Sequence, residues 1–135
     1  MSRQPVFPDT VGLLAIWNAD DQWNPVAAPV FATLAAQGRR LVITSYVLLE
    51  CGNAAARRTF RNDVTGLRRA LLARQALIEP TSEDIEQAWN AFERRESGTA
   101  SIVDHVSFIV MRRFGLTEAF TNDAHFKAAG FATLF

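Results

Sequence analysis

At 135 residues and 15.0 kDa the chain has the length of one domain, and folding at this size buries roughly two-thirds of the unfolded surface, enough for a core without staples. Fourteen basic residues balance fourteen acidic ones, so total charge points to no polyanionic partner, and the single cysteine, Cys51, excludes an internal disulfide and fits a reducing cytoplasm. The opening MSRQPVFPD lacks the apolar stretch of a signal peptide, and no apolar run approaches the roughly 20 residues of a membrane span.

PVF (5–7) predicts a short strand running into Asp9, with Asp9 and Thr10 as N-caps of a helix through VGLLAIW. ADDQWNP breaks that helix, and a second runs from about Val26 to Gly38, a residue suited to a helix C-terminus. LVIT (41–44) predicts a buried strand, and Thr44 or Ser45 caps a third helix over YVLLECGNAAARRTF. TFRND precedes a fourth helix over about 64–74, and LIEP (77–80) predicts a strand stopped by Pro80. Thr81-Ser82-Glu83-Asp84 opens a helix to about Arg95 with a capping box. After the loop ESGTAS, Ser101 opens a helix over IVDHVSFIVMRRFG that ends at Gly115. EAFT (118–121) predicts a strand, NDAHF a turn with Phe126 anchored in the core, and FATLF a last strand.

This alternation predicts an α/β fold, one domain over residues 1–135, with a central mostly parallel β-sheet flanked by helices. Ligands of such sheets bind beyond the carboxyl ends of the strands. Asp9 follows the first strand and Asp123 follows EAFT, so both belong to that edge.

Glu50 and Asp104 sit in apolar settings near the starts of their helices, YVLLECGNA and SIVDHVSFIVM. Taken singly, Asp9 reads as a cap, Asp104 as half of a Ser101-x-x-Asp104 capping box, and Asp123 as a turn residue; Glu50 has the weakest such explanation. Taken together, the four acids gather at one sheet edge, where they repel unless cations hold them. All-oxygen donors suit Mg²⁺ or Mn²⁺, whereas zinc prefers the Cys and His that this chain largely lacks. A second cluster is basic: Arg57, Arg58, Arg61, Arg68, Arg69 and Arg74 stand against one acid, Asp63. It reads equally as a solvated helix face or as a strip for phosphates or carboxylates.

At these residues the chain resembles the PIN-domain ribonucleases, and among them the VapC-type toxins of toxin–antitoxin pairs. FPDTVGLLAIWNADD resembles the family's opening Asp-Thr/Ser segment, LVITSYVLLECGNA its strand and Glu-bearing helix, and SIVDHVSFIVMRRFGLTEAFTNDAHFKAAGF its C-terminal run. The acids are spaced by 41, 54 and 19 residues, and the likeness covers essentially the whole chain. It implies a metal-dependent endoribonuclease with Asp9, Glu50, Asp104 and Asp123 as ligands or water-orienting groups. Thr10, Ser107 and Thr121 would be hydroxyls behind them. It also implies hydrolysis of RNA phosphodiesters to a 5′ phosphate and a 3′ hydroxyl, an antitoxin protein whose tail fills the groove, and a homodimer. Arg57, Arg58, Arg61, Arg68 and Arg69 would then meet RNA or antitoxin. Two further readings share this fold: a PIN-like module acting through protein binding, which the complete acid set disfavours, and a nuclease with a non-toxin role on RNA or DNA. His105, turned about 100° from Asp104 on its helix, is expected beside the groove and not as a ligand. His125 is expected as a solvated bystander at the mouth.

Overall fold

The computed structural model describes residues 4–135. In chain order its elements are β1 (Phe7–Pro8), α1 (Thr10–Trp17), α2 (Asn24–Ala36), β2 (Ile43–Thr44), α3 (Ser45–Ala55), α4 (Arg61–Ala73), β3 (Leu77–Ile78), α5 (Ser82–Glu93), α6 (Ile102–Arg113), β4 (Glu118–Phe120), α7 (Ala124–Ala128) and β5 (Ala132–Thr133). The strands pair in parallel as β1–β4–β5 and as β2–β3. A parallel bridge, Val6 to Leu41, joins the two groups, with Val6 and Val42 N–H groups donating to the carbonyls of Arg40 and Val6 at 2.9 and 3.0 Å. The resulting order is β3-β2-β1-β4-β5. The chain reverses its direction of travel across the sheet between β1 and β4, which in doubly wound sheets is where a crevice opens.

Both faces of this sheet are covered, and the alternation of strand side chains shows it. Phe7 and Ala119 belong to the main core with Ile43, Val47, Phe108, Met111 and Phe126, while their neighbours Val6 and Phe120 pack on the other side with Ala15, Ala27 and Leu34. At the centre, α1 comes unusually close to β4. A Cβ built on Gly12 would lie 2.0 Å from the carbonyl oxygen of Phe120, so no other residue fits there without moving the strand or the helix.

Several boundaries depart from expectation. The third helix stops at Ala55 instead of continuing through Phe60, because a turn folds Phe60 back into the core. Thr44, not Ser45, is its cap, its hydroxyl accepting the Val47 N–H. The fourth helix begins at Arg61, and Val64 and Leu71 supply its buried stripe. NDAHF is more than a turn: it starts α7, with Asp123 as N-cap. Both capping boxes form as expected, Thr81 with Asp84 and Ser101 with Asp104. Arg113 clamps the buried Asp84 at 2.9 and 2.6 Å, locking α5 to α6. Burial alone would raise the Asp84 carboxyl, but the bonds from Arg113 and Thr81 together hold it below the usual range.

The Gly12 contact makes a paired prediction. Gly12→Ala costs about 3 kcal/mol or more through overpacking. Gly66→Ala, in α4 with nothing within 4 Å of the added methyl, gains roughly 0.5–1 kcal/mol through helix propensity. Urea denaturation of both variants reads the two opposite signs.

Candidate active site

Asp9 is the first residue beyond β1, and its N–H donates to the Phe120 carbonyl at 3.2 Å, tying it to the end of β4. It occupies the N-cap position of α1 with extended backbone, yet its carboxylate makes no capping bond. Only 2% exposed, that carboxylate has the Thr121 hydroxyl beside it at 3.5 Å. Thr121 Oγ1 also accepts the Asp123 N–H at 3.0 Å, so one hydroxyl braces the strand ends that carry both acids. Across the crevice, Thr10 donates to Glu50 Oε1 at 2.7 Å and orients the acid of α3 against α1.

Asp104 is the N3 residue of α6. One of its oxygens accepts the Ser101 N–H at 3.2 Å, so the capping role expected of it is real. Capping and clustering are compatible, because Asp104, Asp123 and His125 each bring a ligand-capable atom within 4.8 Å of one another. His125 keeps 36% of its side chain exposed, as a residue at the mouth should, but both of its ring nitrogens have partners. Its Nδ1 lies 2.8 Å from Asp123 Oδ1 and its Nε2 lies 3.0 Å from Thr99 Oγ1.

The electrostatics tie the four acids into one neighbourhood. Asp9 is pushed up from 3.8 to about 7, first by burial, then by the charges of Asp104, Asp123 and Glu50, against a lowering bond from the Thr10 backbone. Asp104 is raised as well, by burial and by the charges of Asp123 and Glu50, again partly offset by its backbone bond from Ser101. Thus the charges of Glu50, Asp104 and Asp123 reach Asp9, and those of Glu50 and Asp123 reach Asp104, although the four acids are separated by up to 114 positions in the chain.

The PIN domain family model matches residues 6–132. The chain belongs to the PIN domain family. Among curated proteins, the 23S rRNA-specific endonuclease VapC20 of Mycobacterium tuberculosis, from strains CDC 1551 / Oshkosh and H37Rv alike, is 32% identical over 127 residues, or 93% of this chain and 95% of that protein. The crystal structure of M. tuberculosis VapC20, described as a sarcin-ricin loop cleaving toxin, superposes with a TM-score of 0.78 at 27% identity, covering 94% of this chain and 96% of that one. Within the family the chain stands with the VapC-type endonuclease toxins.

The remaining residues around this PIN-domain crevice fall into place by burial. Ser107 Oγ is buried without a hydrogen-bond partner, as is Ser45 Oγ, a hydroxyl that sequence reasoning credited only with a cap. His105 is not beside the groove. It is 2% exposed, wedged edge-to-face between Phe92 and Phe108, and its imidazole is lowered chiefly by that burial. Cys51 is buried next to Glu50, and burial with the nearby Asp9 charge pushes its thiol up to about 12, which removes it as a nucleophile. Arg57, Arg58, Arg61, Arg68 and Arg69 are exposed, and none pairs with a carboxylate among the described residues. Arg58 stacks over Phe60 at 5.2 Å, and Arg61 bonds the Ala56 carbonyl at 3.2 Å. Among the described residues no helix is long and apolar enough to cross a membrane.

The raised Asp9 carboxyl has a definite sign in stability. The folded protein holds this proton up to about pH 7, whereas the unfolded chain releases it near 3.8, so the metal-free fold loses stability as pH rises across that window. For so buried a group the loss is on the order of 4 kcal/mol. Urea denaturation in EDTA from pH 5 to 8 should show the upper part of this decline, about 3 kcal/mol, in the wild type. Asp9→Asn should flatten it and be the more stable protein at pH 8.

Proposed function

We propose that this PIN domain is a Mg²⁺- or Mn²⁺-dependent endoribonuclease and the toxin of a toxin–antitoxin pair. The observation that carries the reading is the buried, uncapped Asp9 carboxylate standing in the field of three other acids. Burying the Asp9 carboxylate amid repelling acids, with no arginine or lysine beside it among the described residues, is unfavourable, and a divalent cation is what relieves it. The donor set fits such an ion: Asp104 and Asp123 bring oxygens within one coordination sphere, and the partnerless hydroxyls of Ser45 and Ser107 are suited to ordered water behind it.

In this reading Asp9, Asp104 and Asp123 hold the cation, and Glu50, fixed by Thr10, holds it or orients the attacking water. When bound, the cation supplies charge neutralisation at the phosphodiester and acidifies water at neutral pH. Thr121 keeps Asp9 and Asp123 in register. No side chain is needed as a covalent nucleophile, in keeping with the inert thiol of Cys51. The arginines in the turn after α3 and along α4, none paired with a carboxylate among the described residues, would meet RNA phosphates or an acidic antitoxin segment.

Family membership extends the proposal to the partners. A small antitoxin is expected to cover the crevice, and Val11 on α1 and Leu49 on α3 are exposed apolar residues, at 37% and 66%, on the two helices that carry the Thr10–Glu50 bond. A homodimer belongs to the same proposal. The named activity of the relatives makes 23S rRNA, and its sarcin-ricin loop in particular, the first RNA to test.

The test is cleavage of a panel of rRNA, tRNA and mRNA with Mn²⁺ or EDTA. Asp104→Asn keeps an oxygen to accept the Ser101 N–H and should fold normally, yet lose activity by more than about 100-fold, beyond the cost of an outer ligand partner. Wild-type activity in that variant, or undiminished cleavage in EDTA, would defeat the proposal.

A further inference from the structure

We propose that His125 is a positioning residue: it pins one oxygen of Asp123 so that the other is presented to the cation, and through Thr99 it couples Asp123 to the loop that sets Asp104. This inference rests on the metal-dependent reading given above. Asp123 Oδ1 receives two donors from the same residue, the His125 backbone N–H at 2.9 Å and Nδ1 at 2.8 Å. A carboxylate only accepts, so Nδ1 carries the proton in this contact. Nε2 is then turned to the Thr99 hydroxyl at 3.0 Å, which can complete the bond from either side.

With both ring nitrogens engaged, the imidazole would have to break one of these bonds to become a ligand itself. A carboxylate torsion on its own is broad and two-fold, and two donors on one oxygen remove that freedom. Asp123 Oδ2 takes no hydrogen bond from the described residues and stays available. At the far end of the chain of bonds, Thr99 is two residues from Ser101, whose hydroxyl and N–H bracket Asp104 at 3.0 and 3.2 Å. Between them Ala100 is buried, anchoring the loop. The two acids of the cluster are therefore held by one continuous set of contacts running from α6 to α7.

The experiment uses the full chain and Mn²⁺ as the probe. Four variants, His125→Ala, His125→Asn, Thr99→Val and Asp123→Asn, are compared by calorimetric Mn²⁺ titration, metal-free melting, and kcat and KM on an RNA that the wild type cleaves. His125→Ala should weaken Mn²⁺ binding roughly ten-fold, the usual effect of losing an outer hydrogen-bond partner. It should lower kcat with KM unchanged and leave metal-free melting nearly unmoved. His125→Asn carries an amide N–H where Nδ1 stood and should restore most of the affinity; Thr99→Val should fall between. Wild-type Mn²⁺ affinity in His125→Ala overturns the inference, as does an Asn variant no better than Ala, or a loss confined to KM. If Asp123→Asn itself binds Mn²⁺ as the wild type does, the metal-dependent reading fails and the role of His125 falls with it.

Discussion

Asp9 stands almost without solvent at the head of a helix it does not cap, where three other carboxylates reach it through a medium poor in water. Such an arrangement opposes folding: the proton it retains to about pH 7 records how poorly the site tolerates one more charge. The rest of the structure can be understood as what is needed to hold that arrangement open. The strand order puts β1 and β4 side by side with their ends together, and the Asp9 N–H is fastened to the last carbonyl of β4. Gly12 lets α1 descend onto that carbonyl, which a methyl group would block. Helix starts at Thr10, Ser45, Ile102 and Ala124 bring positive ends of backbone dipoles toward the same edge.

Around the acids, hydroxyls do the orienting. Thr10 serves Glu50, Thr121 serves Asp9 and Asp123, Ser101 serves Asp104, and Thr99 serves His125. The Thr10 and Thr121 hydroxyls donate to the carboxylates of Glu50 and Asp9 and fix them without cancelling their charge, as an arginine would, while the Ser101 and Thr121 hydroxyls accept the backbone N–H groups of Asp104 and Asp123. The contrast with Asp84 is instructive: there Arg113 neutralises a buried acid fully, and the pair locks two helices together. The same residue type is thus neutralised where a guanidinium meets it and keeps its charge where hydroxyls, backbone N–H groups or an imidazole do.

Much of this was legible in the sequence because caps and apolar periodicity are local. The capping boxes of α5 and α6 were read from spacing alone and form as read. Asp9, Asp104 and Asp123 could be assigned to one edge because each follows a strand or opens a helix, and Glu50 because it lies within the first two turns of α3. What escaped depends on tertiary contact. Five-residue α7 is too short to show a period, and it exists because Asp123 caps it and Phe126 is fully buried beneath it. Reading NDAHF as an open turn left His125 in solvent, whereas the helix returns its ring to Asp123. His105 was rotated away from Asp104 as expected, but the face it turns to is aromatic core between α5 and α6 and not groove rim. The orphan hydroxyl of Ser45 carries no local signal at all.

As a PIN domain of the VapC type, the chain shares its fold with toxins named for cleaving 23S rRNA, and the central physical claim is narrower than any choice of substrate. Carboxylates this crowded should be the place where a divalent cation binds. Crystals soaked in Mn²⁺ and measured at an anomalous wavelength test that directly. The account predicts a peak within coordination distance, about 2.0–2.6 Å, of oxygens of Asp104 and Asp123, with Asp9 on its near side. A well-diffracting soaked crystal with no peak at this edge, or with Mn²⁺ bound only elsewhere, would contradict it.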